Sequence, residues 1–170
     1  MNISQLNSSE IDLFASIHNS LLPKRKQSFD RKGISSKQNL KYNNIIAPIM
    51  IKTKQLLDMF NKTNYDLSQY YIEFQQRNCG FEKKRKRIFE WHNDDYAAVN
   101  YKVYTIVYYI RKDNTIKDGN LEYKVGNKKY IQQIKKGQIL CFDGTLKHRP
   151  EICSGIGCRD TIVIFIKTVI

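Results

Sequence analysis

Apolar residues recur at intervals of three and four through the first third of the chain, and at intervals of two through most of the rest. Ile11, Phe14, Ile17 and Leu21 mark one face of a helix that Ser8 or Ser9 could cap and that ends before Pro23. His18, beside Ile17 in this pattern, reads as a surface or partly buried structural residue. Residues 23 to 40 are basic and polar, contain Gly33 and paired serines, and read as a loop. A second helix is expected over about Asn43 to Asn61. Its apolar face would be Ile46, Ile49, Met50, Leu56, Leu57 and Phe60, with Pro48 in its first turn, where a missing N–H costs little.

From Tyr70 onward the pattern is that of short strands, near 69–76, 87–92, 101–111, 119–124, 129–134, 137–143, 147–153 and 159–168. Asp113-Asn114, Asp118-Gly119, Gly126-Asn127 and Lys136-Gly137 are the turn signals between them. Short strands following two helices predict an α+β, mainly β fold: an antiparallel sandwich or jelly roll with the helices packed on one face. The chain is expected to be one domain over 1–170, with 1–65 as helical support and 66–170 as the β core.

Composition narrows this. With 41% hydrophobic and 26% charged residues the chain is globular rather than disordered. Its formal net charge of +13 would attract polyanions, or would simply solvate a lysine-rich surface. The run Lys83-Lys84-Arg85-Lys86-Arg87 concentrates that charge, as a solvated loop, a substrate-facing patch or a nuclear import signal. No apolar run is long enough to span a bilayer, and Met1 to Gln5 lacks a signal-peptide pattern. Cys79, Cys141, Cys153 and Cys158 form no CxxC pair, so a reducing, intracellular setting is expected, cytoplasmic or nuclear, with no membrane partner.

The chemistry concentrates in two places. In WHNDD, His92 and Asp94 are two residues apart at a strand end, so both can face one side, and strand parity favours Asp94 over Asp95. His148, in DGTLKHRP, opens a later strand. Two imidazoles and a carboxylate on one face make a triad that leaves coordination positions open on Fe(II) for a cosubstrate and dioxygen. Arg159 opens CRDTIVIFI, eleven residues after His148, and EICSGIGC between them supplies glycines for a hairpin that would lay the Arg159 strand beside the His148 strand. A buried arginine needs an anionic partner, and the distal carboxylate of 2-oxoglutarate would be a bidentate one.

From about Tyr70 to Ile170 the chain resembles the Fe(II)/2-oxoglutarate-dependent dioxygenases, and within them the prolyl hydroxylase branch. WHNDD, YTIVYYI, DGNLEY, KKGQILCFDGTLKHRP and CRDTIVIFI carry the resemblance, in that order. It implies a double-stranded β-helix in which His92, Asp94 and His148 bind iron and Arg159 binds the 2-oxoglutarate carboxylate. It also implies Tyr109 and Thr161 as cosubstrate contacts. Tyr109 shares a strand face with Thr105 and Val107, and a register slip would substitute Tyr108. Which of Tyr70, Tyr71 or Phe74 meets the cosubstrate from the first strand stays open, and Trp91 and Tyr96 are candidates for lining the substrate entrance. The implied reaction is hydroxylation of an unactivated C–H bond, with dioxygen as oxidant and ascorbate as reductant. A prolyl or other side chain of a protein or peptide is the expected substrate. Nucleic acid, favoured by the charge, is the alternative, and a non-catalytic basic binding module is a third reading. The Lys found at the Arg159 position in collagen-type enzymes is absent here, as is a second arginine six residues on, where Phe165 stands.

Overall fold

The computed structural model describes residues 1–22, 29–79, 90–94 and 102–169, without the side chains of 38–40. The elements run β1 (Asn2–Gln5), α1 (Ser8–Leu21), β2 (Phe29–Ser35), a 3₁₀ turn (Ser36–Lys41), α2 (Asn43–Met59), β3 (Tyr65–Cys79), β4 (Val103–Lys112), β5 (Leu121–Val125), β6 (Lys128–Gln132), β7 (Gln138–Asp143), β8 (His148–Pro150) and β9 (Gly157–Thr168). The Lys83 to Arg87 run, Asp95, Tyr96 and the first half of the strand expected at 87–92 lie outside the described residues.

Local chemistry explains the helices. The cap of α1 is Asn7 rather than Ser8 or Ser9. Its Oδ1 accepts the Glu10 N–H at 2.9 Å, and its own N–H donates to Glu10 Oε2 at 2.9 Å, so two otherwise orphaned donors are satisfied reciprocally. In α2 Pro48 is the sixth residue and so falls in the second turn, not the first. There its ring removes the bond that the Asn44 carbonyl would accept. The loop expected over 23–40 is also corrected, because 29–35 is strand and 36–41 is 3₁₀. Only Ile34 of the seven β2 residues is buried, so no alternation announces the strand. Its hydrogen bonds come from pairing with the distant β3, from Phe29 opposite Arg77 to Ser35 opposite Tyr71.

All strand pairings are antiparallel. Six strands form one sheet in the order β1-β7-β4-β9-β3-β2, and three form a second in the order β6-β5-β8. Together they are the two layers of a double-stranded β-helix, a mainly β fold with its helices on one side. Along the central strands of the large sheet the two faces differ in function. Ile72, Phe74, Ile106, Tyr108, Ile162, Ile164 and Ile166 pack against Phe14, Ile17, Ile46, Ile49 and Leu57 of the helices. Thr53 donates its hydroxyl proton to the Ile49 carbonyl at 2.8 Å and accepts from the Tyr108 hydroxyl at 2.7 Å, so both buried hydroxyls are satisfied. Phe14 meets the Tyr108 ring edge-on at 5.4 Å. His18 is structural but fully buried, its ring nitrogen bonding the Gln75 carbonyl at 3.0 Å.

The connection from β8 to β9 does not make the expected hairpin. β8 pairs with β5 in the small sheet, and β9 lies between β4 and β3 in the large one. The glycines at Gly155 (φ +94°) and Gly157 (φ +152°) turn the chain from one layer to the other. Arg159 therefore faces the His148 strand across the gap between sheets instead of lying beside it. None of the four cysteines is in a disulfide. No helix among the described residues is long and apolar enough to cross a membrane.

Candidate functional site

Between the two sheets lies a cavity of about 450 Å³ whose wall includes His92, Asp94, His148, Tyr109, Arg159 and Thr161. The six residues singled out in the sequence thus share one enclosure, contributed by both layers.

His92 and His148 are paired through their backbones, the His92 N–H donating to the His148 carbonyl at 3.0 Å and the reverse bond closing at 2.8 Å. Residues directly opposite on an antiparallel ladder point the same way, which brings the two rings to 4.5 Å between centroids. Asp94 is fixed by its N–H, which donates to the Gly144 carbonyl at 2.8 Å, and Gly144 in turn donates to Val103 at 2.8 Å. One donor atom from each of His92, Asp94 and His148 falls within 4.8 Å of the others. His148 Nε2 lies 3.6 Å from Asp94 Oδ2, and His92 Nε2 lies 3.9 Å from Asp94 Oδ1.

The surroundings set which ring nitrogens are available. His92 Nδ1 donates to the Glu90 carbonyl at 2.8 Å, and His148 Nδ1 donates to the Leu146 carbonyl at 2.9 Å. A carbonyl can only accept, so each imidazole carries a proton on Nδ1 and turns its Nε2 toward Asp94. Burial pushes the His148 pKa below its ordinary value, as does His92, while Asp94 and the Leu146 bond oppose the shift. Neutral imidazole is the ligating form. Phe142 braces the His148 ring edge-on at 4.9 Å. Thr105, on β4, donates its hydroxyl to Asp94 Oδ2 at 2.7 Å. The donor set, two imidazole nitrogens and one carboxylate with their far sides held, fits a divalent first-row metal ion and leaves the cavity side open.

At the other end is Arg159, only 3% exposed. Its Nη1 donates to the Gly119 carbonyl, while its Nε is buried with no hydrogen-bond partner. Gly119 sits at φ +81°, and a β-carbon there would come within 2.6 Å of Cys153 Sγ and 2.9 Å of Arg159 Nη1. Glycine is thus required by both the backbone and the guanidinium. Tyr109 stands opposite Thr161 in the β4–β9 ladder. Burial raises the Tyr109 pKa against the opposing pull of Arg159 and Arg77, so its hydroxyl stays a donor. Tyr108 is on the helix side, which resolves the register in favour of Tyr109. A buried guanidinium and a phenol at one end, and a three-donor cluster at the other, suit a ligand with two anionic ends.

Some placements differ from the sequence reading. Tyr70 and Phe74 belong to the helix-side core, and Tyr71 stacks on Phe165 at 6.2 Å. The cavity-facing residues of β3 are instead Glu73, Gln75 and Arg77. Trp91 is off the cavity wall, its ring in contact with the Lys124 ammonium at 4.5 Å and the Arg149 guanidinium at 4.8 Å from its centroid. Thr105 as the partner of Asp94 was missed, although its shared face with Tyr109 was the available signal. Arg77 had no signal, because the β3–β9 register is not local information.

This fold is that of the 2-oxoglutarate–Fe(II) oxygenases. Among solved structures it is similar to a Pseudomonas putida prolyl-4-hydroxylase, with a TM-score of 0.68 and 11% identity over 98% of this chain and 92% of that one. It is also similar to the viral collagen prolyl hydroxylase of Paramecium Bursaria Chlorella virus-1 in its 2-oxoglutarate complex, with a TM-score of 0.64, 15% identity, and 99% and 96% of the two chains covered. NgTET1 in complex with 5mC DNA gives a TM-score of 0.62 at 20% identity, over 94% of this chain and 68% of that one. No protein-family model and no curated protein sequence matches the chain.

Proposed function

We propose that the chain is an Fe(II)- and 2-oxoglutarate-dependent oxygenase that hydroxylates a C–H bond, with a prolyl or other protein side chain as its substrate. The observation that carries this reading is the convergence of His92, Asp94 and His148 donor atoms within 4.8 Å, on the wall of a cavity that also holds Arg159. His92, Asp94 and His148 would hold the iron through Nε2, carboxylate and Nε2. Arg159 would take the distal carboxylate of 2-oxoglutarate, with Tyr109 donating a hydrogen bond to it and Thr161 lining the floor. Iron with 2-oxoglutarate and dioxygen supplies the oxidant, the oxo acid leaving as succinate and carbon dioxide, and ascorbate would keep the iron reduced. The chain's part is positional. The Glu90 and Leu146 carbonyls orient the two imidazoles, Thr105 orients the carboxylate, and Leu121, Val107, Phe142 and Val163 keep the cavity floor dry.

The formal net charge of +13 favours nucleic acid as a second reading of the substrate. One experiment separates the readings. Purified protein with Fe(II), ascorbate and 2-oxoglutarate is incubated with a peptide panel and an oligonucleotide panel, and succinate and mass gains of one oxygen are followed. Oxygen on peptides that vanishes in His92→Ala supports the first reading, and oxygen on or loss of methyl from oligonucleotides supports the second. Absence of bound metal and of succinate under every condition would leave a basic binding module.

A further inference from the structure

The back of the small sheet carries a row of like charges. Tyr123 of β5 stands opposite His148 of β8, whose ring faces the cavity, so the residues on either side of this pair point outward. Extending the register by one residue sets Lys124 opposite Lys147, and the Lys124 N–H donates to the Lys147 carbonyl at 2.8 Å. On its other side Lys124 stands opposite Lys129 of β6. Lys147, Lys124 and Lys129 therefore form one row across the outer face. Like charges directly opposite one another destabilise a sheet, so the row opposes folding instead of serving it. Arg149, two residues from Lys147, shares the face.

The cations are organised by their surroundings. Within β5, β6 and β8 Glu122 is the only carboxylate, and it is buried while pairing with both Arg149 and Lys129. The Trp91 ring meets both the Lys124 ammonium and the Arg149 guanidinium. Lys129 still keeps 46% of its side chain in solvent and Arg149 33%, and Lys147 is exposed. β6 is the edge of the sheet, and four of its five residues are exposed. Lys128 and Tyr130 alternate with Lys129 and project to the other side of this edge. Tyr130 stacks one ring face on Tyr123 at 5.3 Å, and at 41% exposure it turns the other face past the edge to solvent.

We propose that this face and its β6 edge bind single-stranded nucleic acid, as a docking surface separate from the cavity. The lysine row spans two strand spacings, about 9.5 Å, which is close to three nucleotide steps of about 3.4 Å in a stacked strand. A phosphate backbone supplies one charge per step at even intervals, so it relieves the repulsion along the whole row. Bases bring flat faces to the open side of Tyr130, which the carboxylates of an acidic peptide do not. A single strand can follow the lysines and turn over the edge, whereas a duplex keeps its bases stacked inside. The net charge of +13 draws such a polymer in from a distance. Because the row points away from the metal-binding cluster, docking here holds the protein to its partner without deciding which bond reacts. The proposal stands whether or not the cavity binds iron.

The test is fluorescence anisotropy of a labelled single-stranded oligonucleotide of mixed sequence, titrated at several salt concentrations with neither metal nor oxo acid present. Each phosphate contact contributes about 0.7 to the slope of log affinity against log salt for a single strand. The double variant Lys124→Gln/Lys147→Gln should lower that slope by about 1.4 and weaken binding roughly twentyfold at about 0.1 M salt. Tyr130→Ala should weaken binding at least about fivefold with the slope unchanged, and Tyr130→Phe should bind as wild type. Lys37→Gln/Lys117→Gln removes the same charge from exposed positions elsewhere and should stay within about twofold of wild type. Trp91, the single tryptophan, should change its emission when the oligonucleotide binds wild type. The proposal is overturned if wild type binds no oligonucleotide, if both lysine pairs weaken binding alike, or if Trp91 emission stays constant at saturation. Polyglutamate that displaces the oligonucleotide charge for charge, with Tyr130→Ala binding as wild type, would overturn it in favour of an acidic protein partner.

Discussion

Replacing Thr105 by valine tests whether the carboxylate of Asp94 is held ready for a metal ion. Thr105 is 1% exposed, and valine has nearly its shape, so the substitution removes a hydroxyl without opening a cavity. What disappears is one hydrogen bond of 2.7 Å to Asp94 Oδ2. Bonds from a neutral donor to a charged acceptor contribute about 1.5–3 kcal/mol. Losing it frees the carboxylate to rotate away from the two imidazoles, and loss of an orienting partner of this kind lowers metal affinity roughly ten- to hundredfold. Trp91, the single tryptophan, adjoins His92 and gives the assay, a fluorescence titration with Ni(II) or anaerobic Fe(II) in competition with a chelator. Thr105→Ser keeps the donor and should bind metal nearly as wild type. Equal affinities in wild type and Thr105→Val would refute the reasoning, as would an equal loss in Thr105→Val and Thr105→Ser.

Gly119→Ala places a β-carbon at φ +81° against Cys153 Sγ and Arg159 Nη1, so melting should drop by the equivalent of about 1–2 kcal/mol and 2-oxoglutarate binding should weaken. Unchanged binding by calorimetry would show that Gly119 does not anchor the guanidinium. Tyr108→Phe removes the hydroxyl that donates to Thr53 and should cost about 1 kcal/mol in chemical denaturation while leaving cosubstrate binding intact, since this ring is on the helix side. Glu122 supplies a pH test. Burial raises its pKa, but Arg149 and Lys129 together lower it below 4.5. The folded state therefore binds fewer protons than the unfolded one. Its stabilisation is full above pH 4.5 and is lost as pH falls through the folded value. The melting gap between wild type and Glu122→Gln should close on acidification from neutrality to about pH 3, and a gap independent of pH would contradict the ion-pair account.

Much of this architecture was legible in the order of residues, and the reasons for the misses are physical. The near-continuous apolar runs of β4, β7 and β9 reflect burial on both faces, so these elements stood out. The spacing of His92 and Asp94 is a local strand property, and its convergence with His148 follows from the backbone pairing of the two histidines. β1 and β2 were invisible because they are edge strands whose hydrogen bonds come from distant partners and which bury a single side chain, Ile34. The crossover before Arg159 was misread as a hairpin because glycines signal a turn without saying which layer the next strand joins. Arg77 was illegible for the same reason: its place on the cavity wall depends on standing opposite Arg159, a relation between residues 82 positions apart.

The two faces of β9 have a consequence for how such a protein can change. Residues at odd positions from Arg159 to Phe165 line the cavity, and Ile162, Ile164 and Ile166, which alternate with them, pack against the helices. Adjacent codons thus answer to separate demands, ligand preference and folding. Side chains over the cavity can be exchanged with little disturbance of the helix layer, while each neighbouring isoleucine is constrained by volume. A lineage could therefore explore new ligands along this strand by single steps, and a library restricted to its odd positions would return many folded variants with altered selectivity.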